Sequence, residues 1–426
     1  MGWALFTTVA WWVFFSTRSA VGLILPRDAV SYAVGALAFV IALLTIRRLP
    51  SRGPVVFLGA FTLYTFLQFV ARDDYRKVQV QSLVQIVFPI AFFCIGYLLW
   101  RNRRYDIALK TYVAVMAFSA FVGLANYYAG FAQPLFLLNQ FDRTEVGSQV
   151  VQRGGSLAGG SIGTGLFAGL GILIALGLPK RYQWSIPIFI MSMVSTLSRG
   201  GIIAIAAGIP IYLWFSLPTP GRERTRTLRR RGALVGLVLL IALVGGISSG
   251  DQGDKGNVFL DRFTVDFLNP KEEGNAYRIA SWEHDIDVWS ESPVFGAGLG
   301  ILGTIGVTDA RANGSEALAA ESWYLQILGE LGAIGLSVYL LMLFGIVMEG
   351  WQAISEGERG KDRLLAIAAM GGLMALTIGG VFLQNLGDLN GSLFWYFAGG
   401  LVAYRSEQLS TLAQGRLARS SPIPLP

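Results

Sequence analysis

The feature that most constrains this chain is a series of about twelve apolar runs, each close to the ~20 residues a helix needs to cross a bilayer core. They lie near 4–25, 31–46, 55–70, 82–100, 108–128, 157–178, 184–197, 201–217, 233–247, 323–347, 364–383 and 392–404, more than half of the 426 residues. Hydrophobic residues make up 53% and charged residues 14%, against roughly 25% charged in an ordinary soluble protein. That balance excludes a water-soluble globule, a disordered chain and a collagen. The 52 glycines and 11 tryptophans suit a helix bundle in lipid, where glycine lets backbones approach and tryptophan sits at the interfaces. The fold class expected is an all-α integral membrane protein of about 12 transmembrane helices. Helices 1–9 occupy 1–248, a large outer loop 249–321, helices 10–12 residues 322–405, and a tail 406–426. The first run contains Arg18 and has neither a basic leader nor an obvious cleavage site, so it reads as a span.

Arginine and lysine in short loops set orientation. Arg47, Arg48 and Arg52 follow the second run, Arg101, Arg103 and Arg104 the fourth, and Lys180 and Arg181 the sixth. The series from Arg222 to Arg231 follows the eighth, Arg359, Lys361 and Arg363 the tenth, and Arg405, Arg416 and Arg419 the last. With twelve spans all of these fall on one side, which places them and both termini in the cytoplasm. The arginine series is better explained by topology than by nucleic acid, although the formal net charge is +7. The 249–321 loop then faces outward. It holds thirteen acidic residues against five basic ones by count, so its bulk repels polyanions. Within it, 276–289 reads as an amphipathic helix with Ile279, Trp282, Ile286 and Trp289 near one face.

One cysteine, Cys94, gives no disulfide framework or thiol metal site, and a single histidine, His284, excludes a site with two histidine ligands. His284, between Glu283 and Asp285, reads as an exposed helix residue. Chemistry falls instead to outer arginines and acids. Arg199, in Ser-Arg-Gly at 198–200, sits at a tight outer junction between two apolar runs, where a charge is costly without a partner. A guanidinium there suits bidentate binding of a diphosphate or, equally, snorkelling to headgroups. Arg278 opens the amphipathic segment that leads to Pro-Val-Phe-Gly-Ala-Gly-Leu-Gly at 293–300. Those glycines allow a backbone close to a ligand, but a structural turn is the commoner cause. Glu321 starts the tenth run, as a helix cap or as a general base, and Glu330 reads as a structural hydrogen-bond partner. Arg153, preceded by Arg143, stands at the outer mouth of the sixth run, facing lipid phosphate or substrate. Arg72, Asp73, Asp74, Arg76 and Lys77 read as a solvated, internally paired loop.

Taken in order, Ser198-Arg199-Gly200, Arg278 with Trp282, the 293–300 segment and 321–335 beginning Glu-Ser-Trp-Tyr-Leu-Gln resemble the family of bacterial O-antigen ligases and Wzy-type O-antigen or exopolysaccharide polymerases. Arg153-Gly154 is a weaker element of the same likeness, which runs from about 153 to 335. The resemblance implies a GT-C-like membrane glycosyltransferase in the bacterial inner membrane, with a periplasmic active site. It implies no cofactor, no metal and no nucleic-acid partner. The partners it implies are an undecaprenyl-diphosphate-linked glycan, membrane lipids, and an acceptor that is another glycan or lipid A-core. Ligases carry a histidine followed by asparagine where this chain has Glu321-Ser322, which points toward a polymerase. The implied roles are Arg199 and Arg278 on the diphosphate, Glu321 as base in an inverting transfer, and Arg153, Trp282 and Tyr324 in substrate binding. A flippase gathering a lipid diphosphate is the non-enzyme alternative; transporters often show paired halves and broken helices near mid-membrane, whereas this chain shows a single late large loop and few mid-span charges.

Overall fold

The computed structural model describes residues 2–16, 27–71, 76–129, 143–146, 149–152, 155–158, 161–196, 198–216, 273–303, 307, 318–357, 360–382 and 389–420. Among these are α1 (Gly2–Ser16), α2 (Arg27–Thr45), α3 (Gly53–Ala71), α4 (Arg76–Arg101), α5 (Tyr105–Ala129), α6 (Ser161–Gly177), α7 (Ser185–Ser195) and α8 (Arg199–Ser216). Then follow α9 (Glu273–Glu291), α10 (Trp323–Glu356), α11 (Lys361–Gly379) and α12 (Leu389–Ser420). Eleven of the twelve apolar runs overlap a helix; residues 17–25 of the first run and the whole run at 233–247 lie outside the described residues. By length and composition α3, α4 from Val78, α5, α10 and α11 each suffice to cross a membrane. The chain is a multi-pass helical membrane protein. One departure from an all-helical fold is a two-stranded antiparallel hairpin, β1 (Arg143–Val146) with β2 (Gln149–Gln152), in which Arg143 pairs with Gln152. At the other end of the chain α12 continues as helix to Ser420, through most of the expected tail.

Glycine sets the closest helix contacts, as expected where lipid removes the hydrophobic drive between helices. A Cβ at Gly399 would strike the Phe93 carbonyl, and one at Gly96 the Tyr396 carbonyl, so α4 and α12 touch backbone to backbone. Beside them Tyr105 and Tyr396 stack with centroids 4.6 Å apart. The sixth and eighth helices meet in the same way, since a Cβ at Gly201 would enter the Gly165 backbone.

At one end of the bundle the α4–α5 turn, the α10–α11 turn and α12 bring their charges together. Asp106 accepts from Lys110 and Lys361, each at 2.6 Å. Arg103 pairs with Asp362 at 2.5 Å and also with Glu407. Arg405 pairs with Glu356 at 2.5 Å. Three groups of basic residues that the positive-inside pattern assigns to one side thus share one end.

The tenth helix is not a single straight span. Gly332 breaks it with φ 70° and ψ −172°, leaving arms at 323–331 and 333–356. The rings of Tyr324 and Tyr339 lie 6.1 Å apart, whereas fifteen residues of straight helix separate two positions by about 22 Å along the axis. The chain at 293–298 fills the break. Ala297 and Gly298 N–H groups donate to the Gly329 and Glu330 carbonyls (2.7 and 3.0 Å), and Ala333 and Ile334 N–H groups donate to the Pro293 and Val294 carbonyls (2.9 and 3.3 Å). Backbone groups freed by the bend are therefore satisfied inside the protein, as lipid demands. Gly296 has φ 77° and Gly298 φ 119°, and a Cβ at Gly296 would collide with Gly332 and Glu330. The glycine-rich segment is a structural plug. With amides at 296–298 engaged by protein carbonyls, it offers no free cradle for a phosphate.

Candidate functional site

The site is built where α9 lies on the first arm of α10. Arg278, Ser281 and Asp285 recur at three- and four-residue intervals, so they share one face. Ser281 and Asp285 are buried at 0% and 1% exposure. Ile279, Trp282, Ile286 and Trp289 do share a facet, but Ile279 and Ile286 are exposed, and the face that goes inward is polar.

Ser281 joins the two elements. Its hydroxyl donates to the Ala319 carbonyl at 2.8 Å and accepts the Glu321 N–H at 3.1 Å. Ser322 then begins the helix, its hydroxyl accepting from the Leu325 N–H at 3.5 Å, while the Trp323 N–H donates to the Gly380 carbonyl at 2.8 Å. Because Ser322 takes the capping position, the Glu321 side chain is left for other work. It turns to Arg278, whose Nε lies 3.9 Å from Glu321 Oε2, both side chains about a quarter exposed (24% and 29%). The contact is a charge pair rather than a hydrogen bond, and Arg278 Nε is buried without a hydrogen-bond partner. Burial pushes the Glu321 carboxyl above its ordinary value, and the Arg278 charge partly offsets that. A carboxylate whose pKa is raised but which stays accessible is a stronger proton acceptor than a fully solvated one.

Behind this pair stands Asp285, which composition and spacing did not single out. Both of its oxygens are buried without a hydrogen-bond partner. Burial, followed by the nearby carboxylates of Glu330 and Glu321, raises its pKa to about 8. Asp285 is thus mostly protonated at neutral pH. Its only sequence signal is its position seven residues after Arg278 and four after Ser281. Glu330 is 2% exposed and accepts from Gln326 Nε2 at 3.0 Å and from the Leu302 N–H at 3.2 Å, a structural acceptor.

The remaining expected residues are placed unevenly. Trp282 is half-buried, its ring 6.2 Å from Phe382 and its indole N–H without a partner. Tyr324 donates its hydroxyl to the Thr377 carbonyl at 2.8 Å, tying α10 to α11, and its half-buried ring packs against that of Tyr339. Arg199 is the first residue of α8. Its backbone is fixed by the close approach of Gly201 to Gly165 and of Gly165 to Ser198, while its side chain lies outside the description. Arg153 lies outside the described residues altogether. Just after it, Ser156 and Thr164 hydroxyls meet at 2.9 Å and the Ala158 N–H donates to Ser119 at 3.1 Å, which pins 155–158 to α5 and α6. Among the described residues no group of three or more His, Cys, Asp or Glu side chains forms a metal-binding cluster.

Residues 184–340 match the family model described as O-antigen ligase, which bears out the resemblance read from the sequence. The matched segment contains Arg199, Arg278, Trp282, Glu321 and Tyr324; Arg153 precedes it. No curated protein matches this chain. Among solved structures, a chain from one titled "Structural coordination of polymerization and crosslinking by a peptidoglycan synthase complex" is similar at 16% identity and a TM-score of 0.41, covering 83% of this chain and 97% of that one.

Proposed function

We propose, from the O-antigen ligase family match over 184–340, that this membrane protein is a polysaccharide polymerase. It transfers a glycan from undecaprenyl diphosphate to the sugar end of a second lipid-linked repeat unit. The observation that carries the reading is the pairing of Arg278 with Glu321 at 3.9 Å, brought from two separate elements onto the bent start of α10 inside the matched segment.

The two charges face each other. A diphosphate bound beside the pair draws Arg278 away, because a diphosphate dianion is a stronger bidentate partner than a single carboxylate. Arg199 contributes from the start of α8. Freed of its partner, Glu321 takes the proton of the acceptor hydroxyl. The acceptor oxygen then bonds to the anomeric carbon as the carbon–oxygen bond to the diphosphate breaks, and undecaprenyl diphosphate leaves with the electron pair. One displacement inverts the anomeric configuration. The arginines stabilise the charge that builds on the leaving group, an interaction stronger in the transition state than before it. Trp282, the Tyr324 ring and Arg153 line the path of the sugars. The chain acts in the bacterial inner membrane, with both termini cytoplasmic and the site periplasmic. The shared end of Asp106, Arg103, Lys361 and Arg405 supports this sidedness, since it lies at the opposite end of α10 from Glu321.

The ligase reading, transfer to lipid A-core, is favoured by the description of the matching family. Acceptor identity separates the two. Purified protein given only the lipid-linked repeat unit should yield a ladder of lengthened lipid-linked glycan on a gel. Absence of a ladder, with transfer appearing when lipid A-core is added, would establish the ligase instead.

A further inference from the structure

We propose that α9, expected as part of an aqueous loop, is seated at the membrane–water boundary. The facet carrying Ile279 and Ile286, with the adjoining Val294 and Phe295, is covered by bilayer lipid. This rests on the membrane-spanning reading of the chain and is independent of the glycan-transfer chemistry.

The helix has three facets. One, with Arg278, Ser281 and Asp285, packs on α10 and is closed to solvent at Ser281 and Asp285. A second carries Glu283, Asp287 and Glu291 at four-residue spacing, all exposed. The third carries Ile279 (38% exposed), Ile286 (46%), Trp282 and Trp289, centred roughly 120° around the helix from the acidic facet at 3.6 residues per turn. Protein covers the first facet, and the acids of the second require water. The third is apolar and carries Trp289 at its rim, the residue type enriched where lipid meets water, while half-buried Trp282 turns toward Phe382.

What covers that facet follows from its continuity with the lipid-facing side of α10. Val294 (49% exposed) and Phe295 (55%) extend the apolar surface beyond the end of α9. The Val294 carbonyl accepts the Ile334 N–H at 3.3 Å, which fixes this extension beside Ile334. From Ile334 an exposed apolar stripe runs down α10 through Leu341, Phe344, Met348 and Trp351, spaced by seven, three, four and three residues. On a helix that crosses the membrane such a stripe faces acyl chains. The α9 surface joins its upper end, and lipid is the medium that covers the rest of it.

The test uses full-length protein in nanodiscs. The sole cysteine, Cys94, is free and buried and is replaced in a Cys94→Ser background. An environment-sensitive fluorophore is then attached at Ile286→Cys, Phe295→Cys or Asp287→Cys, with Ile279→Cys as a further apolar position should either of the first two lower the yield. Nitroxide-bearing lipids and aqueous iodide serve as quenchers. Labels at 286 and 295 should be quenched by lipid nitroxides and shielded from iodide, while the label at 287 shows the reverse. Free iodide access at 286 or 295 would overturn the proposal. So would shielding from both quenchers, which would mean that protein covers the facet.

Discussion

Arg278 and Glu321 face each other at 3.9 Å, and that coupling has a sign that can be measured. As the proposed base, Glu321 must be ionised to accept a proton, so activity should fall on the acid side of its titration. Burial raises that titration and Arg278 pulls it back. Replacing Arg278 by Gln removes the offset, and the acid limb of the pH–rate profile should move to higher pH, together with a rate loss of about 10²–10³-fold if Arg278 contacts the leaving group. An unmoved limb would separate the two residues. Asp285 is a second case. Its proton is held to about pH 8 in the folded protein and lost near 4 when unfolded, so the folded state binds more protons across that window. Stability therefore declines as pH rises from about 4 to about 8. The Asp285→Asn variant should lack this decline and melt higher than the parent at pH 9, read by thermal unfolding in detergent at a series of pH values. Glu321 was legible as a candidate because a charge at the start of an apolar run demands a reason, and Arg278 because positive-inside topology does not account for an arginine on the outer side. Asp285 was not, because it lies among Glu283, His284 and Asp287 and reads as solvated until α9 is seen to turn that face inward.

Among the elements, α10 carries the most specific geometry. Gly332 has φ 70°, and a Cβ there would enter the Val294 carbonyl. A Gly332→Ala substitution should therefore cost at least about 1–3 kcal/mol in backbone strain alone, seen as a lower melting temperature and reduced yield. Activity should fall with it, since the bend sets the approach of Glu321 to Arg278. A variant that melts and turns over like the parent would show that the bend is dispensable. Helix positions were largely legible in the sequence, because apolar runs bounded by arginine and lysine mark spans in lipid. The bend was not. Glycine is common in membrane helices, and apolar residues continue on both sides of Gly332, so nothing local marks it. Its cause is the distant segment 293–298, whose carbonyls and amides replace the lost helical partners. The small hairpin at 143–152 was likewise not anticipated, standing in a connection between two apolar runs.

At the scale of the whole molecule, two clusters occupy opposite ends of α10. One is a network of ion pairs around Asp106, Arg103 and Arg405; the other is the Arg278–Glu321 site. The exposed pairs of Arg103 each add at most about 1 kcal/mol, so the bundle depends on packing such as the glycine contact of α4 with α12. Gly399→Val should lower the melting temperature strongly by forcing those backbones apart, while Asp362→Ala at the ion-pair end should leave it within a few degrees. Equal effects would contradict this division of labour. The measurement that tests the central claim most directly is transfer by purified protein in nanodiscs, given an undecaprenyl-diphosphate-linked repeat unit together with lipid A-core, comparing the parent with Arg278→Ala and Glu321→Gln. The account predicts lengthened or transferred glycan with the parent and its loss in both variants, each still folded by thermal unfolding. Parent-like transfer in either folded variant, or no transfer by the parent to either acceptor, would contradict it.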